Sequence, residues 1–254
     1  PARSLSGLFC AALRIGVLRR RPEMCKIGMP NRNPGTYLLH EPPYFCTVNP
    51  PTGGRNEPDK NRNDMYLEKI DSPADVKRLS VGELTLLSGE IREALLHKVS
   101  AHGGHFGPNL GMVEATVALH YVFDSPKDKL VFDVSHQSYV HKMLTGRRRA
   151  FLDPAEYDGV SGYSEPSESE HDHFVIGHTS TSVSLAGGLA KARDLQGGEG
   201  NVVAVIGDGS LSGGEAFEGL DYAAELGTNF IVVVNDNQMS IAENHGGLYG
   251  NLQE

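Results

Sequence analysis

The spacing of apolar residues changes along this chain, and each period predicts a type of element. Ser80 and Glu83 have the spacing of a capping box, and apolar residues follow at helical intervals from Leu84 to Leu95. We therefore predict an amphipathic helix over this stretch. A second and more apolar helix is predicted for the segment GMVEATVALHYVF, which ends at Phe123.

Short apolar runs alternate with helical patterns in the remainder of the chain. The segments KLVFDV and NFIVVVNDN predict buried strands, and HQSYVHKMLTGRR predicts a helix. Two further stretches, HFVIGHTSTSVSLAGGLAKARDL and NVVAVIGDG with the EAFEGLDYAAELG that follows it, each predict a strand, a turn and a helix. Strands without polar alternation, separated by helices, indicate a mostly parallel sheet with helices on both faces. The predicted fold class is α/β.

Residues 1–64 do not follow this pattern. They hold all three cysteines, Cys10, Cys25 and Cys46, and most of the 14 prolines. Such a composition buries too little apolar surface to offset chain entropy, so we expect a disordered extension before a domain at 65–254. Three readings of the extension stay open: it is foreign to the fold, since MYLEKIDSP at Met65 looks like a natural start, or it is a plastid-type targeting peptide, or it has a function of its own. The cysteines lack metal-ligand spacing.

The overall charge and hydropathy exclude two classes of protein. A net charge of −9 and a pI near 5.7 argue against a nucleic-acid-binding protein, which normally presents a basic face. No run approaches the roughly 18 apolar residues that a membrane span requires. We expect a cytoplasmic protein that acts on small molecules.

The polar motifs DVSH, GHTST, GDGS and NDN each stand at the end of a predicted strand. In open parallel sheets, ligands bind outside the carboxyl ends of the strands. The order of elements along the chain is therefore expected to gather these motifs along one edge of the sheet.

The GDGS motif places a carboxylate, Asp208, between Gly207 and Gly209. A P-loop would need a Lys-Ser or Lys-Thr pair after the glycines, and a dinucleotide fingerprint would need a glycine where Ser212 stands. The carboxylate of Asp208 and the amide oxygen of Asn237, from adjacent strand ends, can instead share a hard cation such as Mg²⁺. The flanking glycines let a diphosphate approach the backbone amides at the following helix.

Gly-Asp-Gly with this trailing asparagine resembles the thiamine diphosphate motif of the transketolase-like superfamily. Four further segments narrow the resemblance: GGHFGPNLGMVEATVALHYVF, FDVSHQSYVHKMLTGRR, SESEHDHFVIGHTSTSVSLAGGLAKARD and NDNQMSIAENHGGL. Together they are similar to the amino-terminal, diphosphate-binding domain of the 1-deoxy-D-xylulose-5-phosphate synthase family. The resemblance covers residues 65–254 almost continuously.

The resemblance implies a role for each matching residue. The metal ligands it implies are the side chains of Asp208 and Asn237 and the backbone carbonyl of Met239. The residues matched to contacts with thiamine diphosphate are His136, Gly177, His178, Thr179, Gly209, Ser210 and Asn237. His105 matches a histidine near the reacting centre, where an imidazole can assist proton transfer at neutral pH. Four other histidines are expected to be structural or solvated: His102, His141, His171 and His173.

The resemblance also implies a reaction. Members of the family are transferases that condense pyruvate and glyceraldehyde 3-phosphate, with loss of CO₂, to 1-deoxy-D-xylulose 5-phosphate. This product is a precursor of isoprenoids, thiamine and pyridoxal. Family members are dimers, and a glutamate from a second, pyrimidine-binding domain activates the cofactor. This sequence ends at Glu254 before such a domain, so we expect the isolated chain to be inactive.

Two departures from the family pattern leave alternatives open. Ser164, Glu165 and Pro166 stand where the family usually carries a basic pair after a proline, and Val140 replaces a common proline. The first change leaves room for a different acceptor substrate. The chain also fits the amino-terminal subunit of a split transketolase, or a catalytically silent domain that only binds cofactor.

Overall fold

The computed structural model describes residues 13–16, 65–236 and 246–247. At the centre of the fold is a sheet in the order β1-β4-β3-β2, in which β2, β3 and β4 are parallel and β1 is antiparallel to β4. Its strands are β1 Leu13–Gly16, β2 Lys129–Phe132, β3 Val202–Gly207 and β4 Phe230–Asn235. The mostly parallel sheet predicted from the sequence is confirmed.

Helices occupy much of the described chain between the strands. They are α1 Pro73–Val76, α2 Val81–His102, α3 Gly107–Leu110, α4 Val113–Val122, α5 Tyr139–Lys142, α6 Arg149–Leu152, α7 Ser182–Leu195, α8 Asp208–Leu211 and α9 Gly214–Leu226. Among the described residues, none of the helices combines the length and the hydropathy that a membrane span requires.

The strand β3 lies between β2 and β4, and its apolar run is covered on both faces. Val203 and Val205 pack in one cluster with Leu119 of α4. Ala204 and Ile206 pack on the opposite face, in a cluster that includes residues of α7 and α9. Burial on both faces explains why the strand lacks polar alternation and confirms the predicted placement of helices on both sides of the sheet.

The helix α2 has the capping box predicted from its sequence. The Ser80 hydroxyl accepts a hydrogen bond from the Glu83 backbone N–H at 3.4 Å, and the Glu83 carboxylate accepts one from the Ser80 backbone N–H at 2.7 Å. The apolar face of α2, including Leu87, Ile91 and Leu95, is fully buried in a cluster beside α4, α5 and α6. The predicted amphipathic helix is therefore confirmed.

The strand predicted for HFVIG, residues 173–177, is wrong. These residues form no strand, and Val175 is 74% exposed. The backbone carbonyl of Ile176 accepts a hydrogen bond from the Ser135 hydroxyl at 3.0 Å. The Ser135 side chain, which follows β2, fixes this segment, where pairing with a neighbouring strand was expected to do so. The apolar run alone does not distinguish these two situations.

The helix predicted for HQSYVHKMLTGRR is interrupted. The α-helical part of this segment is the single turn α5, which continues into a π-helical turn over Met143–Arg147. Thr145 and Gly146 leave helical geometry, and Gly146 has φ of 91°, a conformation that glycine adopts at little cost. The break turns the chain into α6.

A buried cluster of charged side chains lies beside this break. Arg147 donates to both carboxylate oxygens of Asp172 at 2.8 and 2.9 Å, and Nε2 of His141 lies 3.0 Å from Oδ1 of the same carboxylate. Fully buried Lys142 pairs with Glu168. Burial acts to raise the pKa of Asp172, but the hydrogen bonds from His141 and Arg147 hold that pKa below its ordinary value. The cluster ties the loop that carries Glu168 and Asp172 to the turn after α5.

Burial lowers the pKa of four histidines in and around this cluster. The pKa falls from 6.5 to about 4 for His171 and for His173, with burial the largest cause in both. The pKa values of His120 and His141 are also lowered, again chiefly by burial. Nε2 of His120 lies 2.9 Å from Nδ1 of His141, so the two buried rings share one hydrogen bond.

These histidines predict how stability depends on pH. Because the unfolded chain takes up protons near the ordinary histidine pKa of 6.5 and the folded chain does not, the free energy of unfolding should fall as the pH decreases from 6.5 toward about 4. Urea denaturation across this pH range measures the slope. We expect His171→Asn and His173→Asn to flatten it, whereas His97→Asn, at an exposed position of α2, should leave it unchanged. A slope that the first two variants do not reduce would contradict the prediction.

Candidate functional site

The carboxyl ends of β2, β3 and β4 open onto one cavity of about 700 Å³. Gly207 at the end of β3 is in register with Asn235 at the end of β4. The cavity is lined by His105, Gly107, Pro108, Met112, Asp133, Val134, His136, Gln137, Thr179, Val205, Gly207, Asp208, Gly209, Ser210 and Asn235. All four polar motifs contribute to this lining, so the predicted gathering at one edge of the sheet is observed.

The cavity brings together six of the residues singled out from the sequence: His105, His136, Thr179, Asp208, Gly209 and Ser210. Gly177 and His178 are exposed and do not line it, although Nδ1 of His178 lies 2.8 Å from the backbone carbonyl of Thr179. Asn237 and Met239 lie outside the described residues.

Asp208 begins the short helix α8 and is 2% exposed. Its carboxylate is the acidic group that the GDGS motif brings to the cavity. Within the described part of the chain, no cluster of three or more His, Cys, Asp or Glu side chains has the arrangement of a metal site. A cation here would therefore draw on other oxygen donors, such as amide or backbone carbonyl groups, together with Asp208.

Asp133, directly after β2, organises the cavity wall. Its carboxylate oxygens accept hydrogen bonds from the backbone N–H groups of Ser180 at 2.8 Å and Ser182 at 2.9 Å. The Ser180 hydroxyl in turn donates to the backbone carbonyl of Ser210 at 2.7 Å. This chain of bonds connects the ends of β2 and β3 through the start of α7. Sequence reasoning missed Asp133, although its position after a buried strand was a usable signal.

The same wall contains three non-glycine residues with positive φ. The values are 59° for Val134, 68° for Ser135 and 71° for Ser180. Such backbone geometry is unfavourable for a β-branched residue in particular, and it persists only where surrounding contacts enforce it. Two of the three residues are next to Asp133 or bonded to it, so the bonds of that carboxylate are among the contacts that enforce the conformation.

Two buried polar atoms at the cavity lack a well-formed hydrogen bond to the described residues. They are Nδ1 of His136 and Oε1 of Gln137, neighbouring side chains that both belong to the lining and interact weakly with each other. Buried polar groups are normally paired, and unpaired ones call for an explanation such as a ligand or an ordered water. The polar groups of this wall are therefore suited to a polar ligand.

His105 lies just before α3, and its ring is close to other aromatic rings. Its ring centroid is 5.4 Å from that of His136 and 5.3 Å from that of Tyr163. Burial lowers the pKa of His105, and burial together with the neighbouring His105 lowers that of His136. Both rings are therefore neutral at pH 7 and able to donate and accept hydrogen bonds.

The remaining histidines behave as structural or surface groups. Nε2 of His102 pairs with Oδ1 of Asp158 at 2.8 Å, and Nδ1 of His171 lies 2.8 Å from the Ser125 hydroxyl. His141 is buried in the charged cluster described above, and none of these three side chains lines the cavity. His173, also a partly buried side chain, is likewise absent from the lining.

Comparison with known proteins identifies close relatives of this chain. A family model described as 1-deoxy-D-xylulose-5-phosphate synthase matches residues 67–254. A 1-deoxy-D-xylulose-5-phosphate synthase of Symbiobacterium thermophilum is 56% identical over 184 residues, which cover 72% of this chain and 28% of the relative. Proteins of the same name from Thermomicrobium roseum and Dictyoglomus turgidum are 57% and 54% identical, over 29% and 30% of their lengths. The chain thus spans less than a third of the curated relatives it matches.

Close packing at Gly213 predicts a sharp response to substitution. A Cβ atom at Gly213 would lie 2.0 Å from the hydroxyl of Ser180, whereas one at Gly214 would meet nothing within 4 Å. Gly213→Ala should displace Ser180 from Ser210 and lower the free energy of unfolding by about 1–3 kcal/mol. Gly214→Ala should change it by less than about 0.5 kcal/mol. Urea denaturation compares the two variants, and equal stabilities would contradict the geometry of this wall.

Proposed function

The chain belongs to the 1-deoxy-D-xylulose-5-phosphate synthase family, and on this basis we propose that residues 65–254 form the thiamine-diphosphate- and Mg²⁺-binding domain of such an enzyme. The proposed reaction joins pyruvate to glyceraldehyde 3-phosphate, with loss of CO₂, to give 1-deoxy-D-xylulose 5-phosphate. As a transferase of this type, the protein would supply a precursor of isoprenoids, thiamine and pyridoxal.

The observation that carries the proposal is the cavity at the ends of three parallel strands. Asp208 lies there between two glycines, and at Gly207 a side chain would meet nothing within 4 Å. Open space beside the backbone at this point gives a diphosphate room to approach. The parallel register of β3 and β4, with Gly207 opposite Asn235, also supports a site shared between these two strand ends.

We assign the metal to Asp208, Asn237 and the backbone carbonyl of Met239. Mg²⁺ prefers a small number of oxygen ligands from the protein and completes its shell with water and phosphate oxygens. The carboxylate of Asp208, a side-chain amide and a carbonyl group have this chemistry. The two-residue offset between Asn237 and Asn235, which already lines the cavity, supports the assignment.

Residues at the end of β3 and in the segments after β2 would hold the cofactor. Gly209 and Ser210 are proposed to face the diphosphate with their backbone, and His136 and Thr179 to contact the cofactor from the cavity lining. Nδ1 of His136 lacks a well-formed hydrogen bond to the described residues, and a polar ligand would provide one, which supports this placement. Gly177 and His178 complete the assigned set: the structure has them exposed next to Thr179. When bound, thiamine diphosphate supplies the carbon nucleophile and the electron sink of the reaction.

The chain's own contribution to the chemistry is to exclude water and to move a proton. Met112, Val134 and Val205 give the cavity an apolar lining beside its polar groups. Neutral His105 lines the same cavity and is the group that we assign to proton transfer. An imidazole suits this purpose because histidine is the side chain whose ordinary pKa lies closest to physiological pH.

The departures from the family pattern do not alter the cavity. The carboxylate of Glu165 accepts hydrogen bonds from the backbone N–H and the hydroxyl of Ser167 at 3.1 and 2.9 Å, and it does not line the cavity. Val140 is fully buried in the apolar cluster with Met143 and Phe151. These placements keep the Glu165 carboxylate out of the described lining, and the acceptor is proposed as glyceraldehyde 3-phosphate from the family alone.

The full activity belongs to a larger assembly in this proposal. A pyrimidine-binding domain would supply the activating glutamate, and the assembled enzyme would be a homodimer in the cytoplasm. A split transketolase subunit and a silent cofactor-binding domain remain the competing functions. The names of the relatives favour the synthase over the transketolase. Supplying the chain with a pyrimidine-binding domain and measuring pyruvate consumption separates the synthase from the other two. An assay of two-carbon ketol transfer on the same mixture then separates the transketolase subunit from the silent domain.

Cofactor binding by the chain tests the assigned metal site. We expect titration calorimetry to show saturable binding of thiamine diphosphate that requires Mg²⁺. Asp208→Ala should weaken this binding at least about tenfold, because a charged ligand of the metal is lost. Asp221→Asn removes a charge from an exposed position of α9 and should bind as the unchanged chain does.

Two results would count against the proposed site. Binding that persists unchanged when Mg²⁺ is chelated would argue against a metal-bound diphosphate. Equal affinities for Asp208→Ala and Asp221→Asn would remove Asp208 from the site. Both variants should be compared at matched folding, checked by their urea denaturation curves.

A further inference from the structure

Asn109 joins three segments of the cavity wall through its side chain. It is fully buried in α3, and its amide nitrogen donates to the backbone carbonyls of His105 at 2.6 Å and His136 at 2.8 Å. Its amide oxygen accepts the backbone N–H of Tyr139 at 2.9 Å. A primary amide can make these two donations and this acceptance together, which a carboxylate cannot. The bonds fix the backbone of Tyr139 relative to that of His105.

This arrangement brings the Tyr139 hydroxyl to the ring of His105. The hydroxyl oxygen lies 3.3 Å from the backbone nitrogen of His105 and 3.3 Å from Nδ1 of the same residue. Gly104 permits this approach, because a Cβ atom there would come within 2.8 Å of the hydroxyl oxygen. Tyr139 itself is 5% exposed, and its ring packs against Phe151 at 5.5 Å.

The two contacts of this hydroxyl decide which ring nitrogen carries the proton. A backbone N–H can only donate, so the hydroxyl accepts the bond from the His105 backbone. Within residues 65–236 the hydrogen bonds of this hydroxyl are those with the backbone nitrogen and Nδ1 of His105, and donation to Nδ1 gives the hydroxyl hydrogen an acceptor. Nδ1 must then be unprotonated, and the neutral ring carries its hydrogen on Nε2.

We propose that Tyr139 is a positioning residue that holds His105 as the Nε2–H tautomer. Nε2 has no hydrogen-bond partner in the described ranges, and His105 lines the cavity. The ring therefore presents its Nε2–H as a hydrogen-bond donor toward an oxygen atom of a molecule bound in the cavity. The consequence for catalysis rests on the proposed function, but the tautomer does not.

The tautomer can be measured on the chain without cofactor. Histidine-selective ¹⁵N labelling and two-bond ¹H–¹⁵N correlation spectra distinguish a protonated ring nitrogen from an unprotonated one, and His105→Gln assigns the signal among the 11 histidines. At a pH above 7 we expect an unprotonated Nδ1 and a protonated Nε2 for His105. A protonated Nδ1 in the unchanged chain would overturn the proposal.

Removal of single hydroxyl groups provides the matched comparison. Tyr139→Phe keeps the ring that packs against Phe151 and should lower the ratio of Nε2–H to Nδ1–H tautomer at His105 about fivefold, as expected for the loss of one hydrogen bond. Tyr163→Phe removes a hydroxyl from a ring that also contacts His105 but makes no hydrogen bond to its ring nitrogens, and it should leave the ratio unchanged. An unchanged ratio in Tyr139→Phe would overturn the proposal.

The two proposals can fail separately. A ratio that Tyr139→Phe leaves unchanged, in a chain that still binds thiamine diphosphate in the presence of Mg²⁺, would refute the role of Tyr139 and leave the metal site intact. A preserved tautomer in a chain that does not bind the cofactor would refute the proposed function instead. If Tyr139→Phe does not fold, the spectrum of the unchanged chain still decides the tautomer.

Discussion

The parallel pairing of β3 with β2 and β4 is the constraint on which the rest of the structure depends. Parallel strands need a crossover between them, and each crossover here carries helices that cover a face of the sheet. The same pairing places Gly207 opposite Asn235 and brings the end of β2 alongside. Three strand ends thus share one edge, and each of them delivers polar groups to the same cavity. The position of the site is therefore determined first by strand direction and only then by individual side chains.

Buried hydrogen bonds then convert this edge into a defined wall. Asp133 connects the end of β2 to the start of α7, and Ser180 continues the connection to the end of β3. Asn109 connects α3 to the loop after β2 in the same way. In each case one polar side chain satisfies backbone groups of a segment that is distant from it in sequence. Replacing one partner leaves a buried group unsatisfied, which costs more than the bond itself contributes.

The parts of this molecule that could be predicted from sequence are those specified by local patterns. The helix from Ser80 onward follows from its capping box and apolar spacing, and β3 follows from an unbroken apolar run. The segment at Ile176 could not be assigned, because its apolar run is held by a serine side chain far away in sequence. Asp133 and Tyr139 were missed for a related reason: their roles arise from hydrogen bonds across the fold, which no local spacing encodes. The edge of the sheet was predictable, but the bonds that shape it were not.

The left-handed conformation of Val134 has a consequence for engineering this protein. A valine with φ of 59° stores backbone strain that a glycine at the same position would relieve. Selection for thermal resistance alone would therefore favour glycine there, and the loop between β2 and α5 would gain conformational freedom. That freedom would make the positions of Asp133 and His136, which flank the strained turn, less well defined. Glycine at this position would thus raise thermal stability and lower the precision of the cavity. Laboratory evolution that selects only for survival at high temperature would therefore damage the site, starting at this residue.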